Sequence, residues 1–532
     1  MLFFKWPFLL FMLVVLPVFF SLRKTRLWIP WLLLASYFFY GWWNPYYLLL
    51  VIYSTALDYL LVALMDHCPL AEQPTPIASR IARGPVDRFL RAAFTVAAVL
   101  TILLVCGALL GPPSLRPTFA AFAVLVFLMA AGARLASRRI WLFISIFNNL
   151  ALLLFFKYAR FVVQNLNQVF DSLNVAFRFA DPSTLMPHGF SYILPVGISF
   201  FTFQSMSYTI DFYFGRVQRE RNFLRFATFV CFFPQLMAGP IERAKQILPQ
   251  FQKAPPFELA NIADGLSLFL VGLFKKVAIA NYLAIYVDRV YDNPEAFGGA
   301  RLAMATFAFA WQIYFDFSGY TDMARGLARM MGFNLVLNFK NPYLASGLGE
   351  FWSRWHISLS TWFRDYLYIP LGGNRGGTLF TYRNLLIVFL VSGFWHGSAW
   401  TFLIWGGLHG LGVILTRELE RSQFYRDRVP IYVKRAWVFL YVCFAWIFFR
   451  AASLDDAKLI VTRIFTTAWH DPRLPALALA LILLVWLYEI IYESRLQDLL
   501  KFSSLRVGLA TFMVLYLTLC TSGGGAFIYF QF

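Results

Sequence analysis

Apolar residues are not scattered through this chain but gathered into runs, at about residues 6–22, 27–43, 46–65, 94–110, 117–133 and 140–156 in the first third. Each comes close to the roughly 20 residues a helix needs to cross a bilayer, shorter runs being possible where helices tilt or are buried in a bundle. The links between them alternate in charge. Arg23, Lys24 and Arg26 follow the first run, the uncharged Trp43, Asn44 and Pro45 the second, and a long polar link with Arg80, Arg83, Arg88 and Arg91 the third. Pro112 and Pro113 lead into a weakly charged turn, after which Arg134, Arg138 and Arg139 appear. Basic links stay on the cytoplasmic side, so the N-terminus is expected outside. Lys5, the first run and the arginines after it resemble a secretion signal. No small-x-small cleavage site precedes those charges, so the run is expected to remain as a membrane helix.

The pattern then changes. A run at 191–214 ends on Arg216, Arg219, Arg221 and Arg225; the next, 226–240, is short, contains Pro234 and Pro240, and is followed by Arg243, Lys245 and Lys253. Both of its flanks read as cytoplasmic, which predicts a re-entrant or interfacial segment lining a site, because broken backbone at membrane depth needs protein or a water-filled cavity around it. Lys275 and Lys276 interrupt the stretch 266–287 and are read as snorkelling at a helix end. A run at 302–318 carries Gln312, Asp316 and Ser318, expected to face the bundle interior.

From Asn334 to Arg383 no long charge-free run occurs, yet the segment is dense in Trp, Phe, Tyr and Leu. It is expected to lie along the cytoplasmic face or dip into it. Helical spacing groups Trp352, His356, Leu359 and Phe363 on one face and Arg354, Ser358 and Trp362 on another. Pro370, Gly372 and Gly373 are expected to stop that helix. Apolar runs at 385–395 and 399–415 flank SGFWHGSAW, so His396 is placed at a break between helices, where Gly393 and Gly397 allow close approach. Basic links at 416–435 and 493–506, a last span to about 519 and an outside tail TSGGGAFIYFQF complete the chain. The prediction is an all-α, polytopic transmembrane helical bundle in one domain, with peripheral helices over 1–165, a catalytic core over 190–415 and C-terminal helices over 430–532.

Composition agrees: 60% hydrophobic and 14% charged residues with a mean hydropathy of +0.63 exclude a soluble globule with a polar skin. The net charge of +19 would suggest nucleic acid in a soluble chain. Here the basic residues sit in links between apolar runs, where membrane insertion and anionic lipid read them, and no nucleic-acid partner is expected. Five single cysteines have no metal spacing and read as small buried hydrophobes.

Two histidine-bearing motifs carry the chemistry. Imidazole titrates near neutrality, so a histidine in an apolar tunnel can take the proton of an acceptor hydroxyl as it attacks a thioester carbonyl, with a second polar group orienting it or stabilising the developing charge. G-x-S-x-G, P-loop and H-E-x-x-H motifs are absent from the sequence. For His396 the alternative is a buried histidine closing a helix end; for His356 it is a structural hydrogen bond. His409, among Gly406, Gly407 and Gly410, reads as packing, and His67, His188 and His470 as solvated loop residues. Arg354, Arg364 and Arg375 either neutralise donor phosphates or anchor the segment to anionic lipid. Asp316 and Asp322 either orient histidines or pair with arginines. A transporter and an inert scaffold are the competing classes; the former lacks the two matching interrupted segments of an inverted repeat.

FWSRWHISLSTWFRDYLYIPLGGNR at 351–375 and SGFWHGSAWTFLIWGGLHG from 392 resemble the two signature motifs of the membrane-bound O-acyltransferase family, in its alginate O-acetylase-like bacterial branch. LPVGISFFTFQSMSYTIDFYFG, FFPQLMAGPIERAKQILPQF, WQIYFDFSGYTDMARG and FIYFQF have the same character. The resemblance implies a ring of helices around a thin centre where a cytoplasmic funnel meets an outward opening, His396 as the base, and His356 as its partner, closer to the donor entrance or orienting the site. Beside the histidines, donor contacts are expected from Arg354, Arg364, Arg375 and Ser358, with Trp395, Asp316 and Gln235 lining the site. Acetyl-CoA or another acyl thioester would be the donor, with no bound cofactor or metal, in the multi-pass inner (cytoplasmic) membrane. The implied acceptor side is an extracytoplasmic acyltransferase or acceptor protein of an exopolysaccharide pathway, alginate being one example, with D-alanyl or peptidoglycan acyl transfer as alternatives.

Overall fold

The computed structural model describes residues 1–68, 138–186, 192–467, 469 and 476–520. The expected runs at 94–110 and 117–133, the basic link from Arg80 to Arg91, Arg134, Cys106, His188, His470 and the closing tail lie outside the described residues. Among the described residues the regular structure is entirely helical. The helices are α1 (Trp6–Leu22), α2 (Trp28–Gly41), α3 (Pro45–His67), α4 (Arg138–Ser172), α5 (Ile198–Tyr213), α6 (Phe223–Cys231), α7 (Leu259–Tyr291), α8 (Gly299–Met330), α9 (Leu348–Arg354), α10 (Ile357–Phe363), α11 (Gly377–His396), α12 (Trp400–Arg421), α13 (Ile431–Arg450), α14 (Leu454–Thr466), α15 (Ala476–Glu493) and α16 (Ser503–Leu519). Among them α3, α4, α7, α11, α13 and α15 are long and apolar enough to cross a membrane, which makes this a multi-pass membrane protein.

Two compact units form. The first comprises Ser36–Cys231 and Arg243–Pro249. Its helices α3, α4 and α5 meet around the fully buried Asp58, whose carboxylate accepts from Ser145 Oγ at 2.7 Å and Asn149 Nδ2 at 3.0 Å. Ser145 also reaches Thr209, and Ser54 donates to Asn149. Side-chain hydrogen bonds of this kind join helices where apolar contact alone gives little preference over lipid.

The second unit holds Met1–Ala35, Phe232–Glu242 and the chain from Gln250 onward. At its heart α8 is buried along almost its whole length. It crosses α7 backbone to backbone: a Cβ on Gly272 would lie 2.4 Å from the Gly319 carbonyl oxygen, and one on Gly265 2.5 Å from that of Gly326. Only hydrogen fits at such a crossing. The apolar run at 302–318 lies within this longer helix, whose polar continuation carries Asp322, paired with Lys275 at 2.8 Å and with Arg325. Snorkelling of Lys276 is corrected: α7 does not end there but passes through a π turn at Lys275–Ala280, and Lys276 is buried against Asp316 at 2.7 Å. A π turn adds one residue to a helical turn and re-aims its side chains, the usual mark of a constrained site.

The segment expected to be re-entrant is broken as its prolines require. α6 stops at Cys231, the one-turn helix Phe233–Leu236 follows, and Met237–Arg243 continues without helix.

Candidate active site

The largest departure from expectation lies inside the first motif. One helix carrying Trp352, His356, Leu359 and Phe363 on a single face does not exist. α9 ends at Arg354, and α10 starts at Ile357 with His356 as its N-cap in left-handed conformation, φ 43°. That conformation is uncommon outside glycine and costs on the order of 1–3 kcal/mol, so it persists only where surrounding contacts impose it. The contacts come from the extended stretch before α9. The Asn338 carbonyl accepts from Ile357 N at 2.9 Å, and its side-chain oxygen from Ser358 N at 3.2 Å and Ser358 Oγ at 2.9 Å. Lys340 N in turn donates to the Arg354 carbonyl. The effect is to turn the His356 side chain out of any helical register.

His396 is the last residue of α11, and the sequence-level reason for the break is visible in the packing. A Cβ on Gly393 would lie 2.3 Å from the Phe402 carbonyl oxygen, and one on Gly397 2.0 Å from the Phe402 ring. α11 and α12 therefore close to backbone contact beside His396, giving the imidazole a fixed platform. Its ring packs on Trp395 (4.9 Å between centroids), Trp405 (5.0 Å) and Phe449 (5.5 Å).

The two imidazoles lie 6.5 Å apart, centroid to centroid, with Trp395 6.2 Å from His356. Phe317 of α8 packs edge-to-face on His356 at 4.7 Å between centroids. Both histidines are buried. His356 belongs to the segment between spanning helices, and burial pushes its pKa down to about 3, which keeps the ring neutral.

Of the other residues singled out by sequence, Trp395 joins the histidines. Ser358 stands in the first turn of α10, where its Oγ also accepts from Ile241 N at 3.0 Å, tying the broken segment to the motif. Gln235 is buried in the one-turn helix of that segment. Asp316, next in sequence to Phe317, pairs with Lys276, and Asp322 with Lys275, so lysines answer these carboxylates more closely than the arginines foreseen. Arg364 is largely exposed and pairs with Asp365, and Arg375 is exposed. Arg354 is held between two carboxylates, Glu350 at 2.8 Å and Glu493 at 2.5 Å. His409 packs between Trp405 and Trp352, and its Nδ1 accepts from Trp352 Nε1 at 3.3 Å, in keeping with a packing role. Among the described residues no group of three or more His, Cys, Asp or Glu side chains could hold a metal ion.

Sequence reasoning missed Asn338, Glu242 and Glu493. Glu242 is fully buried, and its Oε1 accepts from Val336 N at 2.7 Å, while burial raises its pKa to about 8 against the lowering effects of that hydrogen bond and of Arg325. A lone Asn or Glu in a polar link carries no pattern that separates it from solvated neighbours.

Residues 140–454 match the family profile of the membrane-bound O-acyltransferases. A probable alginate O-acetylase of Azotobacter vinelandii is 40% identical over 68% of this chain and 71% of its own length, and one of Pseudomonas putida 44% over 61% and 64%. A peptidoglycan O-acetyltransferase of Helicobacter pylori is 34% identical over 81% of this chain and 72% of its own. The matched stretch contains both histidine motifs and the helices that carry them, and the chain belongs to the membrane-bound O-acyltransferase family: it is an acyltransferase.

Proposed function

We propose that this acyltransferase is an O-acetyltransferase that takes an acetyl group from a cytoplasmic thioester, acetyl-CoA in the first place, for O-acetylation of an exported polysaccharide such as alginate. The observation that carries the reading is the pair of buried imidazoles, 6.5 Å apart in an aromatic enclosure. His396 removes the proton of the acceptor hydroxyl as its oxygen bonds to the thioester carbonyl carbon. When the tetrahedral intermediate collapses the C–S bond breaks, and the imidazolium returns the proton to the leaving thiolate. His356, neutral at the working pH, has one N–H to offer the developing oxyanion. The aromatic walls exclude water that would otherwise hydrolyse the thioester.

The exposed Arg364 and Arg375 are suited to the donor's phosphates. The protein acts in the inner membrane, its basic links on the cytoplasmic side, and hands the acyl group to an extracytoplasmic acyltransferase or acceptor protein. His396→Ala tests this, with acetyl on the surface polysaccharide read by mass spectrometry. Acetylation should fall by at least about 100-fold at unchanged protein abundance, the usual worth of a general base. Persistent acetylation would defeat the reading. Loss of a D-alanyl or a peptidoglycan acetyl group instead would reassign the substrate.

A further inference from the structure

Three non-glycine residues of the described chain have positive φ, and two of them, Asn341 (43°) and His356 (43°), lie in the two segments that pair before α9 and α10. The pairing is short: Lys340 N donates to the Arg354 carbonyl at 2.9 Å and Ile357 N to the Asn338 carbonyl at 2.9 Å. Two strained residues so close together need an external hold. It comes from Glu493, the last residue of α15. Glu493 Oε1 accepts from Arg354 Nη1 at 2.5 Å and from Asn341 Nδ2 at 3.1 Å, so one carboxylate grips both segments. The same Arg354 nitrogen donates to the carbonyls of Lys340 (3.3 Å) and Asn341 (3.5 Å), and Glu350 holds the other edge of the guanidinium.

The post itself is fixed. One turn earlier on α15, the buried Glu489 accepts from Tyr314 Oη of α8 at 2.5 Å, and α8 also supplies Phe317, which packs on His356. Glu493 lies beyond the family match, which ends at 454.

We propose that Glu493 is a positioning residue: acting through Arg354 and Asn341, it holds the His356 turn in the left-handed conformation that presents the imidazole to His396. This rests on the acyl-transfer reading of His356. A charge-assisted bond to a planar guanidinium fixes direction as well as distance, and a displacement of about 1 Å at a reacting group can cost about 100-fold in rate.

The test measures steady-state acetyl transfer in detergent for Glu493→Ala and for the isosteric Glu493→Gln. Glu493→Ala should lower kcat about 10- to 100-fold while KM for acetyl-CoA stays within about twofold and the thermal midpoint is kept. Glu493→Gln, which keeps an acceptor for both donors but not the charge, should fall between. Full kcat in Glu493→Ala, or activity lost only in proportion to folded protein for both single variants, would overturn the proposal. His356→Ala is measured alongside. If it keeps full activity the functional reading of His356 fails; if it is inactive while Glu493→Ala is fully active, the Glu493 proposal alone fails.

Discussion

Gly406 and Gly407 are neighbours on α12, and the structure assigns them opposite tolerance to one added methyl group. A Cβ on Gly406 would lie 2.3 Å from the Phe389 carbonyl oxygen of α11 and 3.2 Å from the Gly393 Cα. A carbon and a carbonyl oxygen do not settle closer than about 3.3 Å, so α11 and α12 must part by about 1 Å. Backbone lies on both sides of the clash and no side chain can swing away. Overpacking of this kind costs about 1–3 kcal/mol. Because Trp405 beside it packs on His396, the displacement should be felt at the imidazole, at a cost of about 100-fold in rate. At Gly407 the nearest atom is the Leu390 Cδ2 at 3.7 Å, an ordinary contact with a flexible tip. Gly407→Ala should leave activity intact and add up to about 1 kcal/mol through helix propensity. Acetyl transfer by purified protein, with thermal unfolding in the same detergent, reads both. Wild-type activity and midpoint in Gly406→Ala, or equal loss in Gly407→Ala, would refute the view that backbone contact between α11 and α12 sets the position of His396.

Breaking the buried pair of α7 and α8 should be worse than removing it. Lys276→Met leaves the Asp316 carboxylate without its cation and should lose about 3–5 kcal/mol, whereas Lys276→Met together with Asp316→Leu should recover most of that in thermal or chemical unfolding; equal stability of the single and double variants would refute it. Glu242 supplies a pH signature. Its folded pKa, about 8, is above the usual 4.5, so its contribution is full below about pH 4.5 and is lost as pH rises through 8. Glu242→Gln keeps an acceptor for Val336 N and should gain on the order of 3 kcal/mol at pH 7 but little at pH 4, a difference that unfolding at the two pH values reads directly.

Much of the membrane architecture could be read from the chain because burial in lipid acts on long runs. α1, α2, α3, α11 and α12 begin and end within a few residues of the apolar stretches that announced them, apart from the first two turns of α11 and the last turn or two of α12, which extend into polar sequence. His396 was legible for a local reason: Gly393 and Gly397 beside a histidine state that a helix ends where something comes very close. The same local logic failed at His356. Nothing between Trp352 and Phe363 breaks a helix, and the left-handed turn is imposed from outside by Asn338 and the arms of Arg354. Lys276 misled for a related reason. A charge inside an apolar run reads as the end of a buried helix unless its partner is known, and this partner lies 40 residues away in the chain, on the neighbouring helix.

Local sequence thus determines membership of the membrane class, the extent of several of the described helices and the presence of two histidine motifs, since apolar length and glycine-marked breaks are short-range properties of the chain. Their use is decided by tertiary structure. The 6.5 Å between His356 and His396, the clasp of Glu493 and the pairing of Lys276 with Asp316 all arise between segments remote in sequence, where direction and distance depend on how helices cross.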